Sequence, residues 1–344
     1  MPFRTPKRQM LAQTLDRFGC NRLLLLAGSW RGLLVLNYHR VGNAAGSPFD
    51  RNLWSATQED FSRQVQFLKQ QFDVIGIEDL EDVLARRTGR CVMITFDDGY
   101  RDNYELVFPV LRAHGAKAVF FLTTGFLDRP RVAWWDEIAW MVRKSSRPGI
   151  EAGDWMHGPI EWDGRERDGA IRQLLSIYKH LRGDQTESYL ELLAEATGSG
   201  RCPEEAAGEM WMTWNMVREM LAAGNCFGGH TVNHPVLSRL SPEEQDREIE
   251  GCRLRIAAEL GKPPVAFSYP VGGREAFDEI TRASLAAHGF RWAFSYYGGY
   301  TRPGYFDPFD LPRVAVESDV SFPEFHSMAA LPQVFAGGGQ ARRA

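Results

Sequence analysis

No apolar run in the N-terminal region is long enough to cross a bilayer: Leu23-Leu24-Leu25-Leu26-Ala27 falls far short of the roughly 20 residues a spanning helix needs. Asp16, Arg17, Asn21 and Arg22 stand where an export signal would be uninterruptedly apolar, so no such signal is evident and the expected location is the cytoplasm. Cysteine is sparse, with Cys20, Cys91, Cys202, Cys226 and Cys252 scattered and no CxxC pair among them. That pattern argues against a disulfide scaffold or a cysteine metal site and leaves reduced, mostly buried thiols. There is no basic excess either, since the net charge is −4, which disfavours binding to a nucleic-acid backbone. Nor does a G-x-G-x-x-G follow the first strand candidate, so the dinucleotide-binding form of an open sheet has no support.

What is present, over 344 residues with 44% hydrophobic and 24% charged, is an ordinary α/β pattern. Residues 1–30 read as a helical segment in which Leu11, Leu15, Phe18 and Leu23 suggest one or two amphipathic helices packing on the body. Their basic and apolar character makes peripheral membrane contact through this segment an expectation as well. Strand candidates follow at 32–37, 74–77, 91–96, 117–122, 226–229, 265–269, 290–295 and 311–316, with helical stripes between them. Thr57-Gln58-Glu59-Asp60 and Ser241-Pro242-Glu243-Glu244 are helix-start signatures.

From about 133 to 212 the alternation stops and no strand is convincing, so this stretch reads as a helical insertion, with a polar, Gly-rich loop at 145–169. Trp134 and Trp135 share a stripe with Ile138 and Met141, and one or the other is expected in its core. Trp155 or Trp162, among Gly, Asp and Glu, is expected to be exposed and is the candidate for the wall of a sugar-binding groove. Residues 337–344 read as a disordered tail. The body, residues 31–330, holds seven or eight β-α units and so a parallel sheet, closed as a barrel or open and doubly wound, with the helical insertion added; the barrel is favoured. Polar groups end many different strands, as they do where a barrel gathers its chemistry at one face.

Thr95-Phe96-Asp97-Asp98-Gly99 ends one such strand. Two adjacent carboxylates repel and cost desolvation, although Asp98-Gly99 is also a common turn and either Asp could cap the next helix. His230-Thr231-Val232-Asn233-His234 tips the balance toward chemistry. Histidines four apart, on one helix-like turn, with one carboxylate would complete a metal site with open positions. One of Asp97 and Asp98 then serves as a ligand and the other takes a proton from water.

These two motifs resemble the first two of the polysaccharide deacetylases, the NodB-homology family also called carbohydrate esterase family 4, over about residues 33–328. The resemblance implies a distorted (β/α) barrel, usually of seven strands, and one divalent metal, usually zinc. It also implies Asp97 as general base, and Asp98, His230 and His234 as ligands. Tyr38-His39-Arg40-Val41 is similar to the subset that processes exopolysaccharide. Two motifs depart from the family. Ser268-Tyr269-Pro270-Val271 stands where the family has Arg-x-Pro-Tyr, so the arginine that orients the base must come from elsewhere, with Arg313 and Arg40 as candidates. Pro270 and the Val271 amide remain available beside the substrate to serve an oxyanion. The late Leu-x-His motif that supplies the acid has no clean counterpart, and His326 and His39 are the alternatives. The implied substrate is an N-acetylated carbohydrate. An O-acetyl esterase and an inactive sugar-binding protein of the same fold are the rival readings.

Overall fold

The computed structural model of the chain describes residues 6–86, 89–162 and 167–337. Eight strands form its main sheet: β1 (Gly32–Tyr38), β2 (Asp73–Val74), β3 (Arg90–Phe96), β4 (Val119–Leu122), β5 (Cys226–Gly229), β6 (Ala266–Ser268), β7 (Trp292–Ser295) and β8 (Leu311–Ala315). Each overlaps a strand expected from the sequence. All their pairings are parallel, and the order β1-β8-β7-β6-β5-β4-β3 returns to β1 to close a seven-stranded barrel.

The second expected strand is not a stave of that barrel. One edge of β3 pairs with β1 along its whole length, from Gly32 opposite Arg90 to Tyr38 opposite Phe96. The other edge is divided: β2 takes its start, at Cys91 and Val92, and β4 takes its end, at Thr95 and Phe96. This division distorts the barrel and leaves β2 as a short wedge at its base.

Side chains alternate along each strand. Leu33, Val35, Cys91, Met93, Val119, Phe121 and Phe294 pack together inside the barrel. Leu34, Leu36, Val92, Ile94, Phe120 and Leu122 pack outward against helices. Both faces are thus covered, and every residue of β1 is buried. Toward the strand ends the inward positions become polar. Asn37 sits opposite Thr95, and Arg313 projects from β8, so an apolar plug supports a polar layer above it.

The helix Gln58–Gln71 buries Phe61, Val65 and Leu68, and the helix Pro242–Leu260 buries Ile249, Cys252 and Ile256, both from the caps read in the sequence. Pro109 is the second residue of the helix Phe108–Ala113, which continues directly from a π-helical turn at Asn103–Val107.

The insertion builds a second core from the helices Trp134–Lys144, Asp168–His180 and Thr186–Thr197, with Ile138, Met141, Ile171, Leu174 and Leu193 inside it. Two expectations fail here. A short antiparallel hairpin, Gly149–Ile150 with Ile160–Glu161, occupies part of the 145–169 loop. Trp162 is buried, its indole N–H bonded to the Arg147 carbonyl at 2.7 Å, because the hairpin folds it onto this core. Trp134 and Trp135 are both core residues, while Trp155 is only partly covered.

At the N-terminus, the helices Pro6–Arg17 and Cys20–Ala27 pack on the helix Phe322–Ala330, which follows the last barrel strand. They turn inward Ala12, Asn21 and Leu25, with Leu15 and Leu24 partly covered. Leu11, Phe18 and Leu23, expected on the packing face, point to solvent instead. All five cysteines are free. Among the described residues, no helix is long and apolar enough to cross a membrane. Apart from Gly337, the tail expected to be disordered lies outside the described residues.

Candidate active site

Asp97 continues the inward series Cys91, Met93, Thr95 of β3, and its N–H extends the ladder to the Tyr38 carbonyl at 3.1 Å. In an extended chain Asp98 would then point outward. Its left-handed backbone, φ +74°, followed by Gly99 at φ +90°, swings its carboxylate back to the same cavity. Among the described residues only four non-glycine residues have positive φ: Asp98, Thr231, His234 and Val271. All four lie at the strand ends where the motifs meet. At roughly 1–3 kcal/mol each, that strain persists only where surrounding bonds over-determine it.

Those bonds are present. His230 and His234 are not on a helical turn, as their spacing suggested. The segment between them bends, and the rings meet edge-on with centroids 4.7 Å apart. Thr231 Oγ1 accepts from the His234 amide at 2.8 Å, and Glu248 accepts from the amides of Val232 and Asn233 at 2.9 and 2.8 Å. The insertion closes over the same loop. Trp134 donates to the His234 carbonyl at 3.2 Å, and the Trp135 ring lies edge-on to the His234 ring at 4.4 Å. Glu248 and the two tryptophans carried no local signal for this role, since only the fold brings them to the loop.

Asp98 Oδ1 lies 3.4 Å from Nε2 of both His230 and His234. It is buried and has no hydrogen-bond partner. Its carboxyl is pulled below the usual range: burial opposes this, but the facing imidazoles of His230, His234 and His39 outweigh it. His230 Nδ1 donates to the Ser268 carbonyl at 2.7 Å, which fixes the tautomer and leaves the Nε2 lone pair facing Asp98. Burial, then the neighbouring His230, pushes His234 down to about 3, keeping it neutral. The three ligand atoms lie within 4.8 Å of one another. A spacing of 3.4 Å is close to that between ligands of a tetrahedral ion with bonds of about 2.0–2.1 Å, so the residues present fit a divalent metal.

Asp97 is held differently. Arg313 from β8 meets it with two parallel bonds of 2.8 Å, Nη1 to Oδ1 and Nη2 to Oδ2. Ser268 Oγ and Asn37 Nδ2 each donate to Oδ2 at 3.3 Å. Burial alone would raise this carboxyl, but Arg313, and then His230, hold it well below the usual carboxylate range. The missing motif arginine is therefore replaced across the barrel. Ser268, at the motif position, accepts from Arg313 Nη2 at 2.8 Å. Arg40 does not take part: it pairs with Asp102 at 2.8 Å between the rings of Trp54 and Tyr100.

His39, at the end of β1, has Nε2 4.0 Å from Asp97 Oδ2 and is partly exposed. Its pKa is lowered, with burial outweighing the two aspartates. Val271 sits at φ +64° in a tight turn closed by the Gly272 amide on the Pro270 carbonyl at 2.7 Å, and its own N–H has no partner among the described residues. His326 is not brought to this cluster. Its Nδ1 bonds Asp16 of the N-terminal helix at 2.6 Å, and its ring packs on Phe67, because Phe322–Ala330 lies on the flank of the barrel. Of the two acid candidates, only His39 is at the site.

The polysaccharide deacetylase family model matches residues 85–153 and 180–293, more than half the chain and both motifs. The chain belongs to the polysaccharide deacetylase family. Among curated relatives, the poly-beta-1,6-N-acetyl-D-glucosamine N-deacetylase of Escherichia coli K12 is 28% identical over 126 residues, 33% of this chain and 18% of that protein. The chain thus matches less than a fifth of the length of the curated relatives. Two solved structures share the fold over most of both chains. The Streptococcus pyogenes deacetylase PplD has a TM-score of 0.57 at 18% identity, covering 87% of this chain and 97% of its own. IcaB from Ammonifex degensii has a TM-score of 0.55 at 22% identity, covering 88% and 97%.

Proposed function

We propose that this polysaccharide deacetylase removes acetyl groups from N-acetylated sugar units of a polysaccharide or glycan precursor, with one divalent metal, most simply zinc, held by Asp98, His230 and His234. The observation that carries this reading is the pairing of an orphaned, buried Asp98 oxygen facing two imidazole nitrogens with a separately clamped Asp97 next to it. Family membership and the N-deacetylase named among the relatives support the substrate class.

When bound, such an ion supplies Lewis acidity at the acetyl carbonyl and makes water acidic enough to attack near neutral pH. The chain's own groups do the rest. Asp97, ionised and fixed by Arg313, accepts the proton of the attacking water. The unpartnered Val271 amide donates to the developing oxyanion. His39 delivers a proton to the departing sugar nitrogen, the role its place beside Asp97 suits. The inactive-protein reading loses its main motive, because the arginine absent from the motif is supplied by Arg313.

Acetate release from N-acetylglucosamine oligomers, with acetylated xylan as comparison and a chelator-treated sample as control, tests the proposal. The expected result is metal-dependent release from the oligomers. Release from xylan alone would reassign the enzyme as an O-acetyl esterase, and none from either would leave a binding protein.

A further inference from the structure

Ten large apolar side chains are exposed among the described residues, and five of them fall between positions 10 and 26. They are Met10, Leu11, Phe18, Leu23 and Leu26, exposed by 65%, 45%, 73%, 65% and 84%. Met10, Leu11 and Phe18 share a stripe with Lys7, Thr14 and Arg17 at i, i+3, i+4 and i+7 spacing, and Leu23 and Leu26 share one with Arg22. Each helix therefore has two faces, and the exposed one is basic and apolar.

These helices are not loosely attached. Asn21, fully buried, donates to Ser327 Oγ at 2.9 Å. Asp16 bonds His326, Ser29 donates to the Ala330 carbonyl, and Trp30 donates to that of Ala329 at 2.8 Å. Buried polar bonds of this kind fix which face is turned in, so the outward set is a built surface and not a frayed end.

Charge decides what covers it. The only acidic residue between 6 and 31 is Asp16, which is turned toward His326. Lys7, Arg17 and Arg22 are exposed and, among the described residues, have no acidic partner. A second copy of this chain would bring the same cations against them. An anionic lipid surface would instead neutralise the cations while its acyl boundary takes up the bulky apolar side chains. We propose that the helix pair Pro6–Arg17 and Cys20–Ala27 is a monotopic docking surface that seats the enzyme on an anionic membrane. The proposal does not depend on the reading of the active site.

The test is co-sedimentation of the full chain with vesicles of phosphatidylcholine alone and of phosphatidylcholine mixed with phosphatidylglycerol, at low and high salt. The expected result is binding to the mixed vesicles only, weakened by salt. Arg17→Glu with Arg22→Glu should weaken it by roughly tenfold or more, since each basic side chain near such a surface contributes a factor of about five. Phe18→Ser with Leu23→Ser and Leu26→Ser should abolish it while leaving the melting temperature close to that of the parent, because none of the three is in the core. Failure to bind mixed vesicles at low salt would overturn the proposal, and so would binding that both variants retain. A dimer seen by sedimentation, lost in the apolar variant and unaccompanied by vesicle binding, would replace the membrane with a second copy.

Discussion

Arg313 and Asp97, 216 residues apart in the sequence, meet side by side, joined by two bonds of 2.8 Å, with Arg313 fully buried and Asp97 nearly so. Taking one partner away leaves a buried charge uncompensated, typically a loss of about 3–5 kcal/mol. Arg313→Ala should therefore lower the unfolding free energy by about that much and stop turnover, while Arg313→Lys, which keeps the charge but not the fork, should lose less of both. Chemical denaturation with an acetate assay reads both. An alanine variant as stable as the parent would contradict the pairing.

The two aspartates should separate experimentally. Asp97→Asn is expected to cost roughly 10²–10⁴ in rate with metal content unchanged, the range of a positioned proton-transfer group. It should also reduce stability, since Arg313 then faces a neutral amide. Asp98→Asn and His230→Ala should lower metal content itself. Elemental analysis of the purified variants gives the answer, and loss of metal from Asp97→Asn alone would exchange the two roles.

Trp162→Ala should behave as a core change and not a groove change. With the side chain buried against the insertion core, the expected effect is destabilisation of about 3–5 kcal/mol, with the ratio of oligomer to monosaccharide turnover unaltered. A shifted ratio at constant melting temperature would return this tryptophan to the substrate.

Asp136 predicts a pH dependence of stability. Its oxygens meet the Asp50 amide at 2.9 Å and the Tyr100 hydroxyl at 2.8 Å, with Arg40 and the Asp50 carboxylate nearby. Burial pushes it up to about 7, against the pull of Arg40 and those two hydrogen bonds. A carboxyl raised in the folded state contributes stability in full below its unfolded pKa of about 4, and that contribution is lost as pH rises toward 7. Relative to Asp136→Asn, the parent should lose up to about 1.4 kcal/mol per pH unit across that window. Urea unfolding of both proteins at several pH values measures the difference, and parallel curves would show that Asp136 stays ionised.

Local signals carried much of this protein. Eight apolar runs, their helix caps and the two motifs depend on neighbours within a few residues, where alternation, capping and turn chemistry act directly, and they located all eight strands of the main sheet and the two motifs that meet at the site. What needed the closed barrel was every relation between distant parts. Whether the 74–77 run became a stave depended on which half of β3 was free. Which arginine reached Asp97 depended on β8 lying beside β1, which puts Arg313 in the polar layer and leaves Arg40 outside it. Which histidine joined the site depended on β1 ending there while Phe322–Ala330 runs down the flank. The faces of the N-terminal helices were ambiguous for the same reason: both sides carry leucines, and only the partner helix, by accepting Ala12, Asn21 and Leu25, decided which side stayed in solvent.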